Sequence, residues 1–122
     1  MNLGKFRDQM ESYRRSADEE ARSLKDSYHA LDRLHALYRS FDEKERDLAN
    51  QVLGEWVLSE DENLRFDALA LIDDFKISEA VTTLRLLVER LAASSAPGAP
   101  FELQKVDRIA SELCGQAYNG RD

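Results

Sequence analysis

The sequence is poor in the residues that cross-link and punctuate chains, and each shortage removes a class of protein. A single cysteine, Cys114, leaves no internal disulfide to form, so packing alone must hold the core. Both prolines, Pro97 and Pro100, sit with Gly98 in the small-residue stretch 92–100, which reads as the one clear loop. No glycine-rich run has the spacing that cradles phosphates. Apolar stretches are interrupted by charge every few residues, as at Arg85, Glu89 and Arg90, so no segment reaches the length a bilayer demands. The opening Met1 to Asp8 lacks the apolar run of a secretion signal, and a cytoplasmic protein with no membrane partner is the expectation. Strand signals are missing as well. The only β-branched cluster, Val81-Thr82-Thr83, lies inside a helical period, and the fold class is predicted all-α.

What is present reads as helices. At 122 residues the chain is the size of one ordinary domain, able to bury a core without metal or cross-link. Hydrophobic residues at 43% and charged residues at 34% fit helices with charged outer faces and are too apolar for a disordered tail. Leu3, Phe6, Met10 and Tyr13 give a first thin stripe, predicting an N-terminal helix over 1–15. Ser16-Ala17-Asp18-Glu19 has the form of a capping box opening a long helix through Leu24, Tyr28, Leu31, His35 and Tyr38 to Phe41. Asp42 with Glu45 repeats that logic before Leu48, Val52, Leu53 and Trp56, and Asp61 is the expected cap of a helix from Leu64 to Phe75. A break near Lys76 and Ile77 leads to a second period, Ala80, Leu84, Leu87 and Leu91, so that 61–91 reads as one compact helical hairpin. A terminal capping helix is expected over 101–115, started by Pro100 and ended by Gly115. The expected organisation is therefore a single domain over 1–122, with stacked helix pairs over 16–91 and the loop at 92–100.

Charge is unevenly spread. The net charge is -7, yet residues 1–41 carry seven acids and eight bases, and residues 75–122 carry six of each. Residues 42–74 hold eleven acids against Lys44, Arg46 and Arg65 alone. Such a field repels nucleic-acid phosphates and steers a basic protein toward the surface. The plain alternative is a solvated face plus helix-start carboxylates favoured by the helix dipole.

The sequence offers little catalytic or metal chemistry. His29 and His35 are six apart, unlike the four-residue spacing that brings two imidazoles to one zinc ion. Cys114, in the last turn of an apolar stripe, reads as a small buried hydrophobe. An enzyme working through Cys114 or His35 is the weakest reading, and no cofactor or metal is expected. Asp73-Asp74 reads as a turn cap or partner contact rather than a cation site, because calcium and magnesium need several converging oxygens.

Asn63-Leu64-Arg65, Ala68-Leu69, Leu71-Ile72, a short turn, and Glu79-Ala80-Val81 with Leu84 and Leu87 resemble the short HEAT repeat. The pattern departs from that family at Ser78, where proline is common, and at Asp73-Asp74 and Lys76-Ile77, which replace a glycine-rich turn. The resemblance implies stacked antiparallel helix pairs, an α-solenoid fragment of five to six helices; an irregular antiparallel bundle is the alternative. It also points to the HEAT-like immunity proteins of bacterial polymorphic and contact-dependent toxin systems, and so to an acidic inhibitor that occludes the basic active-site surface of a toxin domain. The candidate partner contacts are Asp47, Glu55, Asp67, Asp73 and Asp74, with Trp56 either an aromatic anchor or a core residue. A scaffold or adaptor in a larger assembly is the runner-up.

Overall fold

A computed structural model of the chain describes residues 2–26 and 28–119, with side chains described as far as Gly115. Every regular element among them is helical: α1 (Leu3–Leu24), α2 (His29–Ser40), α3 (Glu43–Val57), α4 (Glu62–Phe75), a 3-10 turn (Ser78–Ala80), α5 (Val81–Ala92) and α6 (Ala99–Asn119). No helix among the described residues is long and apolar enough to cross a membrane. Close Cα approaches group the chain into two compact units, Met1–Val52 and Leu53–Asp122.

In the first unit, α1 opens on Asn2, whose Oδ1 accepts the Lys5 N–H at 2.9 Å. It then runs unbroken through the Ser16 to Glu19 segment that was expected to start a new helix. The physical reason is continuity of the buried face: Phe6, Met10, Ala17 and Ala21 share one stripe. A serine in a helix interior costs only about 0.5 kcal/mol. The true break comes later, inside the expected long helix. Lys25 adopts a left-handed conformation with φ 54°, and the Asp26 N–H returns to the Ala21 carbonyl at 3.1 Å, closing α1 in a Schellman turn. Asp26 then accepts the Tyr28 N–H on its own carboxylate at 3.0 Å, which starts the approach to α2. Around Tyr38 the packing is aromatic: Phe41 lies 5.1 Å from Phe6 and 6.2 Å from Tyr38, ring centre to ring centre. The buried Tyr38 hydroxyl donates to Asn50 Oδ1 at 2.8 Å.

Two expected helix starts are found as read. The Asp42 N–H donates to Glu45 Oε1 at 2.9 Å while the Glu45 N–H donates to Asp42 Oδ1 at 2.8 Å, a reciprocal capping box opening α3. Asp61 Oδ1 accepts from the N–H groups of Asn63 and Leu64 at the start of α4.

In the second unit the turn after α4 falls where expected, on Lys76 (φ 54°), with the Ile77 N–H donating to the Ile72 carbonyl at 3.1 Å. The buried Ile77 then leads into the 3-10 turn. The closest backbone pairing here is α5 with α6, to which the 3-10 turn also contributes, rather than α4 with α5. Leu84 and Leu87 on α5 and Val106, Ile109 and Leu113 on α6 are all at most 1% exposed. Each such side chain contributes about 1.5–3 kcal/mol on burial. The helix α6 begins at Ala99, places Pro100 in its first turn where no N–H is needed, and passes through Gly115, which was expected to end it. Gly115 has no positive φ, so it forms no left-handed cap, and the helix runs on to Asn119.

Candidate functional site: a groove between α4 and α6

Within the second unit, one surface stands out by chemistry. Phe66 on α4 and Phe101 on α6 are 51% and 78% exposed, against the usual tendency of large apolar side chains to be covered. They line a cleft of about 360 Å³ together with Leu69, Gly98, Glu62, Asn63, Glu102 and Lys105. Leu69, 1% exposed, forms its floor. On α4 the lining positions 62, 63, 66 and 69, and on α6 the positions 101, 102 and 105, follow three- and four-residue steps, so each helix offers one continuous face. The Lys105 ammonium lies 4.3 Å from the Phe66 ring centre, in cation–π contact.

The wall of this groove is fixed by one guanidinium. Arg65 Nε donates to Glu102 Oε2 at 2.7 Å and its second nitrogen, Nη2, to Glu102 Oε1 at 2.9 Å, a bidentate pair joining α4 to α6. Its Nη1 donates to the carbonyls of Ser59 and Glu60 at 3.0 and 3.1 Å, satisfying backbone acceptors beyond the end of α3. The Arg90 guanidinium does the same for Leu58 at 2.6 Å. The hydrogen bond to Glu102, then the charges of Glu102, Glu62 and Asp61, raise the Arg65 guanidinium above its ordinary value against the opposing effect of burial. It is therefore a fixed cation at every physiological pH.

The candidate residues read from sequence fall in different settings. Asp47 is exposed on α3 within the first unit. Glu55 and Asp74 are exposed and Asp67 half-buried in the second. Asp67 and Asp74, seven residues apart on α4, share one side of that helix. Asp73 lies on a different side and is already engaged, 3.5 Å from Lys76 Nζ and 3.6 Å from an Arg108 nitrogen. Trp56 is a core residue at 2% exposure and offers no ring to a partner; its indole N–H has no acceptor among the described residues. Asp42, Glu45 and Asp61 are occupied at helix starts, so part of the acidic excess has local structural work.

The residues weighed for chemistry are held locally. His29 Nε2 lies 2.7 Å from Glu20 Oε1, and His35 Nδ1 donates to the Leu31 carbonyl at 2.8 Å. Cys114 is exposed, not buried as expected, because it lies one residue past Leu113 and so off the apolar stripe of α6. Among the described residues no three His, Cys, Asp or Glu side chains are grouped as metal ligands.

Sequence reasoning missed Phe66, Phe101 and the Arg65–Glu102 pair. A signal for the aromatics was present: both lie off the stripes formed by Leu64, Ala68, Leu71 and Ile72 and by Leu103, Val106, Ile109 and Leu113. The ion pair, 37 residues apart in sequence, had none. Comparison with protein-family models, curated proteins and solved structures finds no match for this chain.

Proposed function

We propose that this chain is a protein-binding module of HEAT-like stacked helix pairs, and that it acts as an acidic inhibitor of the immunity type, capturing a toxin domain through that domain's basic surface. The observation that carries the reading is the concentration of carboxylates along the chain between Asp42 and Asp74, whose exposed members include Asp47, Glu55, Glu60, Glu62 and Asp74. An excess of charge of one sign has a cost in self-repulsion, and electrostatic steering of a basic partner is the use that offsets it. The resemblance of 63–87 to the HEAT repeat supports the same reading by analogy of form.

The test is capture of partners from the native cell at low and high salt by the parent protein and by a variant carrying Asp67→Lys and Asp74→Lys. Asp73→Lys is left out because it would set a third cation beside Lys76 and Arg108, and thermal unfolding of the double variant separates an effect on binding from one on stability. A basic protein retained by the parent at low salt and lost both from the variant and at high salt is the expected result. Equal retention in all conditions would remove the electrostatic reading. A second reading, a scaffold or adaptor contact that survives high salt, is favoured by the exposed Phe66 and Phe101.

A further inference from the structure

We infer that the groove between α4 and α6 receives an amphipathic helix of a partner protein, with an apolar side chain seated between Phe66 and Phe101 and a lysine or arginine set against Glu62. The inference rests on the reading of the chain as a protein-binding module and names where and what it binds.

Three features decide the occupant. The first is size and depth. At about 360 Å³, with its two phenylalanines left half or more exposed, the cleft is at the lower end of the range that encloses small molecules, roughly 300–1,000 Å³. It has a solid floor in Leu69 but open walls, which suits side chains projecting from a surface laid across it. The second is direction. Its lining comes from one face of each of two helices at three- and four-residue steps, the arrangement into which a third helix places residues of the same spacing. Gly98 leaves open space at the edge, since a Cβ there would meet nothing within 4 Å.

The third is charge. Glu102 is neutralised by Arg65, and the Lys105 ammonium is drawn over the Phe66 ring. What remains at the start of α4 is Glu62 beside Glu60 and Asp61, all three exposed, with the Asp61 carboxylate holding the helix cap. The rim at that end is negative. A second copy of this chain, net -7, would bring acid to acid, whereas a basic helix meets both the charge and the apolar floor.

A displayed library of helix-forming peptides with randomised faces, selected on the intact protein, tests this. Enriched peptides should pair apolar residues three or four apart with lysine or arginine nearby, and should shift the amide resonances of Asn63, Phe66, Phe101 and Lys105. Phe101→Ser, at a position exposed enough to leave the fold intact, should weaken them about tenfold or more. Glu62→Lys should weaken them about three- to tenfold, while Glu89→Lys, the same change in net charge outside the groove, should leave affinity within about twofold. Thermal unfolding of each variant checks that the helices persist. Enrichment of acidic or neutral peptides, equal binding to the Phe101→Ser protein, or no enrichment at all would overturn the inference. So would groove resonances that move with protein concentration alone, since a second copy would then be the occupant. If the peptides fail while a cellular partner is still captured in salt-sensitive fashion, the binding reading stands and the docking surface lies elsewhere.

Discussion

Between Met1 and Val52 the buried side chains are mainly aromatic, sulfur-containing or small, among them Phe6, Met10, Ala17, Ala21 and Tyr38, whereas from Leu53 onward they are mainly branched aliphatics such as Leu71, Ile72, Leu84, Leu87 and Ile109. Among the described residues, only Leu34 and Val52 of the first unit are among the largest fully buried side chains, and the others belong to the second. At its edges the first unit adds oriented contacts: Arg33 over the Tyr13 ring at 5.5 Å, Arg46 over Tyr38 at 5.1 Å, and His29 against Glu20. Oriented contacts of this kind are partly solvated, and each contributes about 0.5–1 kcal/mol, less than one buried leucine. The difference teaches where rigidity should lie. A groove that must hold its shape is built on the aliphatic unit, and local opening should be easier in the aromatic one.

The sharpest way to break this comparison is Leu84→Ala. It should cost about 2–5 kcal/mol in denaturant unfolding, by lost burial and the cavity left behind. A loss below about 1 kcal/mol would deny that α5 and α6 are close-packed. Next in size is Arg65→Ala, expected to cost about 2 kcal/mol because it strands the largely buried Glu102 carboxylate and two backbone carbonyls. The Arg65 shift is upward, so its stabilisation is complete below the unfolded value and is lost only as pH rises through the folded value. Across neutral pH the parent-to-variant difference should therefore contain no loss from Arg65 itself. In the first unit, Tyr38→Phe removes one hydrogen bond and should cost about 1 kcal/mol. Amide exchange around α2 should speed up more than in α5. The smallest effect has the opposite sign. At Gly54, within α3, an added Cβ would sit 3.7 Å from Thr83 Oγ1, an ordinary contact, so Gly54→Ala should stabilise by about 0.5–1 kcal/mol through helix propensity. Destabilisation instead would mean that the approach to Thr83 has less room than this geometry allows.

The helices legible in the sequence were those whose signals are local. The Asp42 and Glu45 box, the Asp61 cap and the turn at Lys76 all depend on groups within a few residues of one another. The misplaced break shows the limit of such signals. Ser16 to Glu19 has the letters of a cap, but the buried face runs through it, and packing outweighs a small propensity difference. At Lys25 no glycine marked the turn, so the left-handed residue was hidden behind an ordinary lysine. The candidate site divided in the same way. Acid enrichment could be counted along the chain, but whether a carboxylate caps a helix, pairs with Arg108 or remains on an open face depends on neighbours that counting does not see.

By itself the sequence determined an all-helical chain, the starts of α3 and α4, and the placement of its negative charge, because periodicity, capping and composition act within a turn or two of the backbone. Only the tertiary structure decided that α5 pairs most closely with α6, that Trp56 is buried, and that Arg65 grips Glu102 beside an exposed pair of phenylalanines. Those outcomes join residues dozens of positions apart, and many helix pairings bury similar apolar area; what separates them is side-chain fit across the interface, which no local pattern encodes.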